Sequence, residues 1–259
     1  QIIINFRTAG SSAVRRSARG QAVLLAEGEK AELYSFSEAE QAESAGLAED
    51  CRRLLRLCFL GGPAKVLLYL YPKGEETAAL ARCAPAAEGG WLCAPQMDAQ
   101  TVTAFVKSKR AEGRPLRAVV SSETGPDCAG IVNLTTQGIT VLLEGKTESV
   151  DTADYCARIA GILAGLSLRE SATYYPLPEV TGFVRSEDEE ADIAAGRLIL
   201  DQGSEGARIA RAVTSLTTLS QPGDSAFQKI KIAEGVDLIR ADIRSVFESE
   251  YVGKVLNDY

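Results

Sequence analysis

Histidine is absent from all 259 residues. That removes the usual general base, the usual zinc ligand, and any Ser-His or Cys-His nucleophile pair. The phosphate-cradling pattern G-x-x-x-x-G-K-[ST] is missing, as are a G-x-G-x-x-G after a strand and a G-x-S-x-G elbow. The six cysteines, Cys51, Cys58, Cys83, Cys93, Cys128 and Cys156, form no C-x-x-C pair. Scattered through apolar segments, they read as buried free thiols of a reducing compartment rather than as disulfides or a metal site. No apolar run approaches the length needed to span a bilayer. Basic charge is also short: Lys and Arg number 28 against 35 Asp and Glu, a net charge of −7. An acidic total argues against a dedicated nucleic-acid binder.

What is present is ordinary globular composition, 46% hydrophobic and 24% charged, enough for one large domain or two smaller ones. The chain opens on Gln1 rather than Met, which points to a piece of something longer. Ile2, Ile3, Ile4 and Phe6 form a short β-branched strand or extended arm, too short for a signal peptide. Arg15, Arg16 and Arg19 follow as a small basic group, either a solvated loop or a partner contact.

The pattern then alternates. Residues 20–26 read as a buried strand. Ser37 and Glu40 have capping-box spacing, and Leu47, Cys51, Leu54, Leu55 and Cys58 fall on one helical face. Gly61 and Gly62 read as turn glycines, as do Gly89 and Gly90. Residues 65–71 (KVLLYLY) are nearly all apolar, as in a strand buried on both faces. A short Ala-rich helix over 77–83, a strand at 91–93, a helix over 98–110 and a strand over 116–121 continue the alternation, which is that of an α/β sheet with crossovers. Strands at 131–134 and 139–143 precede a helix opened by Asp151, whose Tyr155, Ile159, Ile162, Leu163 and Leu166 share a stripe.

Tyr174-Tyr175-Pro176-Leu177-Pro178 reads as a rigid connector between two units. Beyond it, Ser186 and Glu189 repeat the capping-box spacing. The acids at 187–190 fit a capped helix start better than a cation site. Residues 198–200 and 209–213 flank Gly203 and Gly206 as a hairpin. A long helix is expected over 224–251, with Phe227, Ile230, Val236, Ile239, Ile243 and Phe247 inward, and Lys229, Asp237, Arg240 and Arg244 outward. The fold class expected is α/β (mixed α+β): a mixed-sheet domain and a smaller α+β unit ending in the long helix.

The segment 227–259, closing in Tyr251-Val252-Gly253-Lys254-Val255, resembles the C-terminal region of contractile phage tail sheath proteins of the Gram-positive phage and prophage type. ARIARAVTSLTTL over 207–219 and Tyr174-Tyr175-Pro176-Leu177 fit the same family. So do Ala18-Arg19-Gly20, residues 91–95 and residues 130–133. The resemblance implies a core lacking most of two terminal arms that join neighbouring subunits by strand addition. It divides the chain into the start of the sheath core (1–30, packing on the C-terminal subdomain), an α/β domain (31–173) and a sheath-type subdomain (174–259).

On this resemblance the chain is a structural subunit and not an enzyme, without cofactor or metal. It polymerises around a tail tube and contracts to drive the tube through a cell envelope, a cooperative change of interfaces. Expected partners are neighbouring sheath subunits and a tube protein, not nucleic acid or membrane. The place is a phage tail or phage-like particle, by way of the host cytoplasm. Candidate tube or subunit contacts are Lys229, Lys231, Arg240 and Arg244; Ile2, Ile3, Ile4, Phe6, Arg15, Arg16 and Arg19 are candidate arm contacts. The alternatives are a non-polymerising tail adaptor or baseplate protein, or an α/β small-molecule-binding protein or enzyme, which a formed apolar pocket would favour.

Overall fold

The computed structural model describes residues 20–219 and 225–250. The expected N-terminal arm lies outside those residues. In chain order the elements are β1 (Gln21–Glu27), β2 (Glu32–Phe36), α1 (Glu40–Glu43), α2 (Glu49–Phe59), β3 (Lys65–Tyr71), α3 (Glu76–Ala87), β4 (Trp91–Cys93), α4 (Ala99–Ala111), β5 (Ala118–Val120), β6 (Ile131–Leu134), β7 (Ile139–Leu143), β8 (Lys146–Val150), α5 (Thr152–Gly165), β9 (Val180–Gly182), α6 (Glu189–Ala194), β10 (Arg197–Leu198), β11 (Leu200–Gly203), β12 (Gly206–Ile209) and α7 (Ile230–Glu250). The fold is α/β with mixed sheets.

Seven strands form the main sheet, in the order β10-β6-β5-β4-β1-β3-β2. All pairings are parallel except β2 with β3. Helices cover both faces, so strand residues of either parity are buried. Ala22, Leu24 and Ala26 of β1 join the core under α2 and α5. Val23 and Leu25 join the core under α3 and α4. This two-sided burial is why residues 21–27 and 65–71 are apolar runs rather than alternations. The first strand, from the segment assigned to residues 1–30, is an interior strand of this sheet, between β3 and β4.

On the first face α2 and α5 pack backbone to backbone. A Cβ at Gly161 would sit 1.9 Å from the Cys58 carbonyl oxygen, and one at Gly61 would sit 2.2 Å from the Gly161 carbonyl carbon. Gly61 is therefore a packing glycine. Within the Gly61-Gly62 pair it is Gly62, at φ +72°, that has the left-handed backbone, as does Gly89 at φ +83°.

Three smaller details differ from the sequence expectation. Strand β8 pairs antiparallel with β7, in a segment read only as a break at Gly145. The Ser37 backbone N–H donates to Gln41 rather than pairing with Glu40. The cap of α6 is Asp188, whose carboxylate accepts from the Ala191 N–H at 3.0 Å, while Ser186 turns to Asp192. Short β-branched strands at turn-rich places and competing cap residues are hard to rank from spacing alone.

The connector is held from below by a buried cluster. Glu179 accepts from Arg158 Nε at 2.6 Å and from the Tyr155 hydroxyl at 2.7 Å, with both charged side chains almost fully buried. Burial first, and then the Glu179 charge, pushes the Tyr155 phenol well above its ordinary pKa. The connector also flanks β12: Tyr174 N–H donates to Ile209 O, and Ile209 N–H to Tyr175 O. The expected hairpin is β11–β12, closed at Gly203↔Gly206.

Candidate assembly surface

Helix α7 is 21 residues long and meets the body along its first half through charge. Its buried residues are Ile230, Ala233, Glu234 and Asp237, spaced i, i+3, i+4, i+7 on one face. Asp237 is 3% exposed and accepts a two-pronged pair from Arg110 of α4, Nη1 to Oδ2 at 2.7 Å and Nη2 to Oδ1 at 2.9 Å. Glu234, 5% exposed, accepts from Arg117 at 2.8 Å and from the Trp91 indole N–H at 3.2 Å. Lys231 pairs with its other oxygen at 2.8 Å, and the Arg117 guanidinium lies 5.1 Å from the Trp91 ring centre. Buried carboxylates are tolerable because each is met by a guanidinium with matching geometry.

Along its second half the helix touches the body through Arg244, which donates to the Gly113 and Glu112 carbonyls at 2.9 and 3.4 Å and pairs with Glu248. Between this half and the loops at Glu88 and Arg114 lies a polar cleft of about 420 Å³.

The apolar side of α7 therefore points away. Ile239 is 60% exposed, Ile243 54% and Phe247 59%, with Ile232 and Val246 beside them. The spacing i, i+7, i+11, i+14 from Ile232 makes one stripe about 20 Å long. This inverts the sequence expectation. Of the residues expected inward, Ile230 is buried and Val236 half-buried, but Phe227, Ile239, Ile243 and Phe247 are exposed. Asp237, expected outward, is buried against Arg110. Periodicity locates an apolar face but not what covers it. Arg110 and Arg117, more than a hundred residues away in sequence, decide the side.

The four cations singled out on this helix thus separate. Lys229 and Arg240 are exposed. Lys231 and Arg244 are committed to partners within the chain. Arg15, Arg16, Arg19 and the apolar residues at 2–6 lie outside the described residues.

The start of α7 is tied down as well. Thr214 N–H donates to Gln228 O at 2.7 Å, and Gln228 Nε2 to Leu216 O at 2.9 Å. Just beyond, Asp127 accepts from the Thr217 N–H, the Thr218 N–H and the Thr218 hydroxyl at 2.7 to 2.9 Å. Asp127 itself has φ +45°, a left-handed conformation that aspartate tolerates. These hydrogen bonds, led by the Thr218 amide, hold its carboxyl well below the usual carboxylate range.

Doubly wound sheets bind ligands outside the carboxyl ends of the strands, where the winding reverses. Here that point is between β1 and β4, and Gln96 fills it by accepting from the Glu27 N–H. The cavity beside it, lined by Met97, Val102 and Cys156 among others, holds about 20 Å³, room for about one water. Among the described residues no group of three or more His, Cys, Asp or Glu is placed to hold a metal, and no helix is long and apolar enough to cross a membrane. All six cysteines are buried and free.

No family model matches the chain. A tail sheath protein of the Clostridium phage phiCD119 is 27% identical over 271 residues, spanning 100% of this chain and 74% of that protein. Along its whole length the chain is similar to contractile phage tail sheath proteins. It is a structural sheath subunit. Solved structures agree on the sheath-protein fold. The sheath tail protein of Desulfitobacterium hafniense superposes with a TM-score of 0.74 at 15% identity, over 98% of this chain and 85% of that one. The anti-feeding prophage helical sheath in its contracted state gives 0.67 at 14% identity, over 92% and 72%. Among the described residues, α7 is where a long apolar stripe stands exposed.

Proposed function

We propose that this sheath subunit polymerises helically around a tail tube and contracts to drive the tube through a cell envelope, without itself acting as an enzyme. The end-to-end relation to a phage tail sheath protein carries the reading. The same relation supports the non-enzymatic part, since the relatives are structural tail sheath proteins. Neither nucleic acid nor membrane is part of the proposal. The site of action is the phage tail, reached after assembly in the host cytoplasm.

Within this reading residues 31–173 serve as the body, and residues 174–259 carry the assembly elements. The outward stripe of α7, flanked by the exposed Lys229 and Arg240, faces the tube. Two observations support that assignment: the opposite face is already engaged in ion pairs, and 20 Å of exposed isoleucine, valine and phenylalanine is more than a solvated helix keeps. The arm residues Ile2, Ile3, Ile4, Phe6, Arg15, Arg16 and Arg19 reach a neighbouring subunit. Strand β11 pairs with a strand on one side only, leaving its other edge for an added strand.

Negative-stain electron microscopy of the full-length polypeptide, alone and with its tube protein, tests the reading. Tubular polymers are expected. A polypeptide that stays monomeric with tubes present would overturn it in favour of a non-polymerising adaptor.

A further inference from the structure

Helix α7 has two faces able to lie against the body. One carries Glu234 and Asp237. The other carries Ile239, Ile243 and Phe247, and on apolar burial alone the second would win, since it would remove the larger apolar area from water. The structure seats the charged face. Only Ile230 and Ala233 add buried apolar contact on that side. The seat offers two guanidiniums from different elements, Arg110 from α4 and Arg117 from the strand entry before β5. Their nitrogens match the carboxylates at 2.7 to 2.9 Å. Lys231 and Trp91 complete the set facing Glu234. Rolled to its apolar side, the helix would take Asp237 from the buried Arg110 and Glu234 from the buried Arg117, and breaking the two buried pairs offsets the apolar gain.

We propose that the seam Arg110–Asp237 and Arg117–Glu234 is an orientation determinant: it sets the roll of α7 about its axis and so keeps the apolar stripe outward for assembly. These four are positioning residues, acting through the stripe rather than touching a partner. The logic is that of a buried polar residue fixing the register of a coiled coil at some expense in stability. The proposal rests on the reading of the stripe as an assembly surface, but its central test does not.

The test is thiol labelling of the unassembled full-length protein with single reporters. The six native thiols are buried and burial pushes Cys58 up to about 12 and Cys83 up to about 11, so they react slowly. Ile243→Cys should label fast and Ala233→Cys slowly. In the variant Arg110→Leu, Arg117→Met, Glu234→Leu, Asp237→Leu both faces are apolar. Two rolls of near-equal energy should then slow Ile243→Cys about twofold and speed Ala233→Cys at least about tenfold. Unchanged rates would overturn the proposal. So would Ile243→Cys keeping its full rate while Ala233→Cys labels at that same full rate, with no twofold loss at Ile243→Cys, which would make the seam an attachment only.

Should that variant misfold, Arg110→Glu alone is expected to expose Ala233→Cys, and adding Asp237→Arg to return it to slow labelling. Failure of the exchange to restore protection would also overturn the proposal. Assembly separates the two readings. If labelling shows the roll while tubes still form, the seam inference stands and the stripe is not the assembly surface.

Discussion

Helix α5 presents small and apolar side chains to the body and is buried almost all round, Arg158 included. Helix α7 presents acids to the body and keeps its isoleucines outside. The two are packed by different physics. The seat of α5 depends on shape: glycines let the α2 and α5 backbones approach more closely than any Cβ would permit. The seat of α7 depends on charge matched pair by pair across the interface. Shape complementarity of this kind tolerates almost no substitution. Ionic complementarity specifies an orientation, while leaving the other face free for something else. A subunit that must hold its own fold and offer a surface to neighbours needs both.

The sharpest way to break the comparison is Gly161→Val. The new Cβ would begin 1.9 Å from a backbone oxygen with no flexible neighbour to yield. Loss of the folded state is expected, or at least about 4 kcal/mol by denaturant titration. Next comes Glu179→Ala. It strands Arg158, whose side chain is 3% exposed, among apolar residues. A loss of about 3–5 kcal/mol is expected. Glu179→Gln, which keeps an acceptor for Tyr155, should lose less. Equal losses for the two would show that the charge on Glu179 rather than its hydrogen bond from Tyr155 holds the connector.

Much of the contrast could not be read from sequence. Two-sided burial was legible in residues 65–71, and a buried strand in residues 20–26, because parallel strands leave continuous apolar runs. The α5 stripe was legible because helical period and apolarity coincide. The length of α7 was legible too, but not its orientation, since its partners Arg110 and Arg117 are brought there by the fold and sit in segments that read as ordinary helix and strand. Gly61 does lie in the expected turn, but its second constraint was not legible, because it comes from Gly161, a hundred residues on. Asp127 gave no local signal, because its three donors are about ninety residues away.

That clasp gives a smaller, pH-dependent prediction. Asp127→Asn should cost about 1–2 kcal/mol at neutral pH, in the range of a lost charge-assisted cap. The carboxyl is held below its ordinary value in the folded state. Its contribution is therefore fully present above the unfolded pKa of about 3.9 and fades as pH falls through the lower folded value. Wild type and variant should converge in stability below about pH 4 and differ by a constant amount from about pH 5 to 7. A gap that persists undiminished as acid is added would mean that the clasp works through shape rather than charge.

The smallest effect on stability belongs to the residues that would dominate an ordinary helix. Ile239→Ser with Ile243→Ser removes two large apolar side chains, and in α5 a change of that kind would cost several kcal/mol. In α7 both are more than half exposed. The unfolded and folded chains therefore hydrate them to a similar extent, and the change in unfolding free energy should stay within about 0.5 kcal/mol. Assembly is expected to respond in the opposite sense, with tubular polymers lost or shifted to much higher protein concentration, because buried aliphatic anchors carry a large share of interface energy. A double variant that loses stability would place these side chains against the body after all. One that keeps both stability and assembly would leave the stripe without a partner and return attention to the ionic seat as the end in itself.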